Sequence, residues 1–365
     1  MKCPICNQKS FVVYKNHNMP YGISLNSKCI DLKVDICSKC NFVFQSSAYT
    51  EQYNENISTL YKSYKISDMY NFPNRNYNNL KALEFISEHI DNTIEFNVLE
   101  IGSNRGDFLY LLKERFNNIN ILGCEPTEFK DLKVPTINSF FEADLFNTKF
   151  DLIVLRHTLE HIKFPKDFVE TLSKVLKNDG KVFIEVPNLI NSLKNFIEDF
   201  TPDHVNYFTT QTLQNIFQEY DINKVDDTEF IYVLFQKQNI KTNKSAVTKI
   251  DTDKIIDLFQ DFNKHQEKCY EIINKYQRII FYGISNFYLW TYVKLKPLLE
   301  DKDIYYTDDN ITKDKLFNLK KIDSFQKGDL VILCTSNKQI QNQMCKNLPE
   351  GVDILYLWEG IKTNV

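Results

Sequence analysis

The stretch Val98-Leu99-Glu100-Ile101-Gly102-Ser103-Asn104-Arg105-Gly106-Asp107-Phe108-Leu109 constrains the fold more than any other part of the chain. A short apolar strand runs straight into a turn holding two glycines, and a segment of helical period follows through Phe116. Glycine is scarce here, nine in 365 residues against a usual ~7%. Two of them in one turn therefore mark a backbone that needs them. Ile119 to Glu125 reads as a second strand and Phe150 to Leu155 as a buried third. Pro165 opens a helix expected to end at Gly180 as a C′ glycine, and Val182 to Val186 is a further strand closed by Pro187. This alternation predicts an α/β chain with a mostly parallel sheet.

The alternation restarts after a polar linker near Lys241 to Thr248. A long amphipathic helix buries Ile255, Phe259, Phe262, Ile272 and Ile273, and strands follow at Ile279–Tyr282, Ile304–Tyr306, Leu330–Leu333 and Ile354–Leu357. The expected division is a small N-terminal unit with a lid (1–60), a central α/β domain (61–240) and a second, smaller α/β domain (241–365). The lid is the Tyr- and Asn-rich stretch from Tyr49 to Tyr77. Forty-four basic against forty-eight acidic residues leave a net charge of -4, so neither nucleic acid nor an anionic membrane is an expected partner. No targeting signal and no apolar run near ~18 residues is apparent, which reads as cytoplasmic.

In that compartment nine cysteines do not suggest a disulfide framework. Cys3, Cys6, Cys37 and Cys40 form two C-x-x-C pairs. Each pair can aim two sulfurs at one ion from a tight turn, and together they make a tetrahedral zinc site. A structural role is favoured over a nucleic-acid grip, because the surrounding lysines come without arginine and are mixed with acidic residues. Cys29 reads as a small core residue rather than a ligand, and Cys124, Cys269, Cys334 and Cys345 also read as core.

At the glycine turn, Gly102 would let a ligand approach the backbone, Gly106 would let the helix pack closely, and Gly123 and Glu125 end the second strand where an acid can take ribose hydroxyls. By itself this gives an adenosine-containing ligand, either a dinucleotide or S-adenosylmethionine. The wording E-I-G-S-N-R-G-D-F-L resembles the first motif of class I S-adenosylmethionine-dependent methyltransferases. More narrowly, the chain resembles the zinc-containing sugar C-methyltransferases. The motifs that carry this are the C-x-x-C pairs, Glu125-Pro126, Asp151 through His157-Thr158-Leu159-Glu160-His161, Glu185-Val186-Pro187, and His204-Val205-Asn206-Tyr207-Phe208. The resemblance implies a zinc domain, a Rossmann-like methyltransferase domain and a Rossmann-like C-terminal domain. It implies S-adenosylmethionine and structural zinc as cofactors, and a sugar or nucleotide-sugar as the small-molecule acceptor.

It also assigns residues. The donor pocket falls to Glu100, Gly102, Asn104, Gly106, Glu125, Asp144, Arg156 and His157, with Glu100 ordering the turn through backbone N–H groups. His204 becomes the general base that removes a proton next to a keto group, with Asp203 fixing its tautomer. His157 is placed near the transferred methyl and His161 in helix packing. A metal on His157, Glu160 and His161 is disfavoured, since Thr158 stands where a metalloprotease has its glutamate. Tyr207, Tyr61 and Tyr64 are candidate anion stabilisers. The chain departs from the family at Tyr282-Gly283-Ile284-Ser285-Asn286-Phe287-Tyr288, where relatives keep a second glycine and a lysine. O-methylation of a sugar or surface-glycan precursor is therefore the alternative, and a non-catalytic zinc-ribbon nucleotide-binding protein is the rival from another class.

Overall fold

The computed structural model describes residues 1–20, 29–51, 53–54, 73–237, 250–283, 286–308, 321–335, 338–356 and 360–362. Tyr61, Tyr64, most of the expected lid, the expected linker, and Ile284 and Ser285 lie outside the described residues.

The N-terminal unit is a meander of β1 (Ser10–Pro20), β2 (Cys29–Cys37) and β3 (Val43–Gln45). The described helices and strands continue with α1 (Pro73–Ser87), β4 (Phe96–Ile101), α2 (Asp107–Arg115), β5 (Ile119–Cys124), β6 (Thr136–Ile137), β7 (Phe150–Arg156), α3 (Pro165–Val175), β8 (Leu176–Pro187), α4 (Leu189–Lys194), β9 (Asn206–Tyr207), α5 (Thr210–Ile216), β10 (Tyr220–Asp226) and β11 (Phe230–Lys237). The N-terminal sheet is completed by β9, which pairs antiparallel with β3 through Val43↔Tyr207 and Phe44↔Asn206. The His204–Phe208 motif is thus an edge of the first sheet as well as a part of the central domain.

The central sheet runs β10-β11-β8-β7-β4-β5-β6, parallel from β8 to β6, with β11 alone reversed and β10, antiparallel to β11, again running with the sheet at the edge. Its inner strands β4, β7 and β8 are apolar on both faces, as parallel strands covered by helices must be. Alternate residues part cleanly. Val98, Leu152, Val154, Phe183 and Tyr232 face α1 and α2, whereas Leu99, Ile153, Leu155, Ile184 and Val233 face α3 and α5. Cys3, Cys37, Phe42 and Phe44 join the second of these cores, so the cysteine unit packs against the sheet itself.

The helix opened by Pro165 ends at Val175, and Gly180 lies inside β8, not at a helix C′ position. The β7–β8 register shifts between Phe150 and Leu152, and a Cβ on Gly180 would press 2.7 Å from the Leu176 side chain. Close approach at an irregular strand, not a left-handed cap, is what the glycine serves.

The C-terminal part begins with α6 (Thr252–Asn274), capped by Asp251, whose carboxylate accepts from the Asp253 N–H at 3.4 Å. Ile255, Phe259 and Phe262 bury into the N-terminal unit beside Val34, Ile36, Phe200 and Tyr207, while Cys269 and Ile273 bury into the last domain. One helical stripe thereby spans two cores. A five-stranded sheet follows in the order β13-β12-β14-β15-β16. Its members are β12 (Arg278–Tyr282), β13 (Asp303–Thr307), β14 (Leu330–Leu333), β15 (Asp353–Tyr356) and β16 (Gly360–Lys362). The first four run parallel, and β16 is antiparallel to β15. Helices α7 (Asn286–Leu299) and α8 (Lys338–Lys346) belong to this sheet. No helix among the described residues is long and apolar enough to cross a membrane.

Candidate methyl-donor and histidine site

Four parts of the sequence converge at the carboxyl ends of β4, β5, β7 and β8. At the glycine turn, Gly102 has φ +76° and Gly106 φ +82°, and Asn104 between them is also left-handed at 52°. A Cβ on Gly102 would overlap the Thr158 hydroxyl, and one on Gly106 would overlap Val134. The space at Gly102 expected for a ligand is therefore filled by Thr158, which donates to Ile101 O at 3.0 Å. The turn is braced from β5. Glu125 accepts the Asn104 N–H on Oε2 at 3.0 Å and the Thr127 N–H on Oε1 at 2.8 Å. Each carboxylate oxygen keeps a lone pair for a further donor. Glu100 is buried at the end of β4, opposite Gly123 and Val154. Asp144 is exposed in a single helical turn at Ala143–Leu145.

Beyond β7 the chain turns sharply, with His157 left-handed at φ 48°. Its Nδ1 lies 3.4 Å from Glu160 Oε1 and its Nε2 3.3 Å from Glu185 Oε1. Burial penalises a charged ring, but the two carboxylates outweigh it and push His157 up to about 10. The two carboxylates thus favour the protonated form of the ring. Burial also works against Glu185, yet Arg156 and His157 pull it down to about 2. Arg156, expected at the donor pocket, is tied down here: Nε bonds Glu185, one terminal nitrogen donates to Asn79 Oδ1 at 2.6 Å, and the guanidinium covers the Phe108 ring at 4.5 Å.

His204 sits in the loop between α4 and β9, fixed by bonds from both sides. The Val205 N–H donates to Glu160 O at 2.8 Å, and the Gln45 N–H donates to Val205 O at 2.9 Å. His204 Nδ1 is 3.0 Å from Asp199 O. A carbonyl can only accept, so Nδ1 carries the proton and Nε2 the lone pair. The tautomer-fixing role expected of Asp203 therefore falls to the Asp199 carbonyl. The Asp203 carboxylate instead accepts from Thr201 Oγ1 at 2.7 Å, and its backbone oxygen takes His161 Nδ1 at 2.8 Å. The His161 and His204 rings stand 5.1 Å apart, edge to face. A small cavity of about 10 Å³, room for one water, is lined by His204, Tyr207, Asn206, Asp199, Ser192 and Pro187. Burial drives the Tyr207 phenol well above its ordinary pKa, and its hydroxyl makes no hydrogen bond among the described residues. Asp199, bonded by Ser192 Oγ, was missed by the sequence reading. Its contribution comes from a main-chain oxygen, which no side-chain pattern announces.

The four knuckle cysteines form one cluster, with Cys3–Cys40, Cys6–Cys40 and Cys6–Cys37 sulfurs at 3.6, 3.5 and 3.4 Å. A tetrahedron of thiolates at ~2.3 Å from zinc has edges of about 3.8 Å, so the donor set fits that ion. The two turns are built alike. The Ile5 and Lys39 N–H groups each point at the first sulfur of their pair at 3.4 Å, and Asn7 and Asn41 follow in left-handed conformation at φ 58° and 60°. Cys29 is exposed at the start of β2, on the outward side of the pleat, so it is neither ligand nor core.

Residues 69–226 match the family model described as a methyltransferase domain, and the strand order with its single reversed strand, β11, next to the edge is the class I arrangement. These residues are a class I S-adenosylmethionine-dependent methyltransferase domain. The C-methyltransferase NovU of Streptomyces niveus is 28% identical over 158 residues, which are 40% of this chain and 37% of that protein. An uncharacterised methyltransferase of Staphylococcus carnosus (strain TM300) is 26% identical over 144 residues, 37% of this chain and 65% of that one. The chain thus spans less than two thirds of either relative. Among solved structures, the Burkholderia thailandensis 1,6-didemethyltoxoflavin-N1-methyltransferase is similar with a TM-score of 0.39 and 11% identity, covering 55% of this chain and 98% of its own. The plantazolicin methyltransferase BpumL has a TM-score of 0.41 and 13% identity, covering 52% and 94%. The methyltransferase domain contributes the glycine turn, the His157–His161 strip and the His204 loop. The cysteine unit and the C-terminal sheet lie largely outside the match.

Proposed function

We propose that the whole chain methylates carbon next to a keto group of a sugar or nucleotide-sugar, with His204 as general base. The observation that supports this is the His204 ring itself. Its Nδ1 faces the Asp199 carbonyl, and it lines a small cavity beside a buried phenol. The turn from Gly102 to Gly106, with Asn104 and the Glu125 carboxylate at its rim, fits the adenosine part of the donor. When bound, S-adenosylmethionine supplies an electrophilic methyl group on a sulfonium. His204 Nε2 takes the proton from the acceptor carbon and becomes an imidazolium still bonded to Asp199 O. The Tyr207 hydroxyl, kept protonated by burial, donates to the oxygen on which enolate charge develops. The charged strip of Arg156, His157, Glu160 and Glu185 stays fixed, so orientation is the chain's main contribution. The four cysteines hold a structural zinc ion, which keeps β3 and its β9 pairing in place. The C-terminal sheet walls the acceptor side.

The test incubates the protein with nucleotide-linked keto-sugars and donor, and follows a gain of one methyl by mass spectrometry. In deuterated buffer without donor, the acceptor carbon should exchange its proton in the wild type, and His204→Asn should lower that exchange at least ~100-fold. Methylation at an oxygen with no carbon exchange would move the reading to O-methylation by the same His204. Full turnover by His204→Asn would remove it from the base role.

A further inference from the structure

The His204 loop gathers a second set of metal-type donors, separate from the cysteines. A Glu160 carboxylate oxygen and one ring nitrogen each from His161 and His204 lie within 4.8 Å of one another. Glu160 is 1% exposed, and among the described residues the one partner of its carboxylate is the His157 ring, whose Nδ1 stands 3.4 Å from Oε1. Burial alone would favour its neutral form, but His157, His161 and His204 around it hold the carboxyl below its ordinary range. Both rings also have a carbonyl behind them, Asp203 O on His161 Nδ1 at 2.8 Å and Asp199 O on His204 Nδ1 at 3.0 Å. That is how imidazole ligands are oriented in metal sites, with Nδ1–H on a backbone oxygen and Nε2 turned to the ion.

We propose that Glu160, His161 and His204 form a site for a borderline divalent transition-metal cation such as Zn2+ or Co2+. Two imidazoles and one carboxylate select such ions over Mg2+ and Ca2+, which take all-oxygen ligands. His157 is not part of the site, because its ring is already held between Glu160 and Glu185. The lone pair of His204 that accepts a proton in methyl transfer is the one that binds the ion. Occupancy and base function therefore exclude each other, and the cation is an inhibitor.

Co2+ titration of the full chain, with no acceptor present, tests this. One equivalent should show the intense sulfur-to-cobalt charge-transfer absorption of the cysteine cluster. A second should show only weak visible bands of a nitrogen and oxygen site. Glu160→Gln and His161→Asn should each weaken the second event at least tenfold and leave the first unchanged, with cooperative thermal unfolding confirming that the variants fold. Should one variant fail to unfold cooperatively, the other decides. Uptake of a single equivalent by the wild type, or an unchanged second event in a folded variant, overturns the proposal. Since uptake is read without turnover, its failure would leave the methyl-transfer reading standing, and the reverse also holds.

Discussion

At His157 a left-handed backbone delivers an imidazole between two carboxylates that are themselves almost wholly buried. Because its folded pKa is raised from 6.5 to about 10, the folded state holds this proton more tightly than the unfolded chain does. The stabilisation is complete below pH 6.5 and disappears as pH rises through about 10. Glu185, lowered from 4.5 to about 2, acts in the opposite sense and contributes above pH 4.5. Denaturant unfolding at pH 6, 8 and 10 should show wild type and His157→Gln converging towards pH 10, and parallel curves would refute the charge assignment. The amplitude is modest, since the ring is 40% exposed and solvent screens it. The sequence showed that these histidines sit at the sheet edge, but not their protonation. Asp203 precedes His204 in the chain, yet the loop turns its carboxylate towards Thr201 and presents the Asp199 carbonyl instead. The knuckles were legible from cysteine spacing, and the asparagine after each pair was a further signal there to be used.

Strand β9 is two residues long, yet it joins the sheet of one unit to the His204 loop of another. Its neighbour Gln45 on β3 is fully buried. With its amide nitrogen turned to the loop, Gln45 donates to His204 O at 3.0 Å and Thr201 O at 3.1 Å. Gln45→Leu removes both donors and strips the His204 carbonyl of its partner, while Thr201 O keeps the His204 N–H at 3.2 Å; the loss costs about 1–3 kcal/mol. The expected outcome is a lower unfolding midpoint and a fall in kcat at unchanged donor affinity. A variant with wild-type kcat would show that the loop holds itself. The periods of β4, β7, α2 and α6 were readable, because their apolar spacing is local. The pairing of β3 with β9 was not, because two residues carry no period and the partner lies far away in the chain. Gly180 misled for a related reason, since a glycine after a helix resembles a cap until the next strand begins.

Across the whole molecule, one carboxylate ties three units together. Glu198, in the His204 loop, accepts from Tyr14 Oη of β1 at 2.5 Å, Asn16 Nδ2 at 2.9 Å and Lys294 Nζ of α7 at 2.6 Å. Burial works against a charged Lys294, but Glu198 outweighs it and holds the ammonium above its ordinary range. Lys294→Met leaves the Glu198 charge without its partner and should cost about 3 kcal/mol. Calorimetry should then show the C-terminal sheet melting before the central one, and a single unshifted transition would contradict this. Such long-range junctions were invisible to sequence patterns, whereas the central fold was plain from one glycine turn.

The cysteine knuckles share a core with the central sheet, and β3 hands their order on to the His204 loop. A disulfide between Cys3 and Cys40, Cys6 and Cys37, or Cys6 and Cys40, whose sulfurs stand 3.4–3.6 Å apart, would take two donors from the cluster that braces this loop. Redox stress on these sulfurs would thereby reach the His204 loop through β3 and β9.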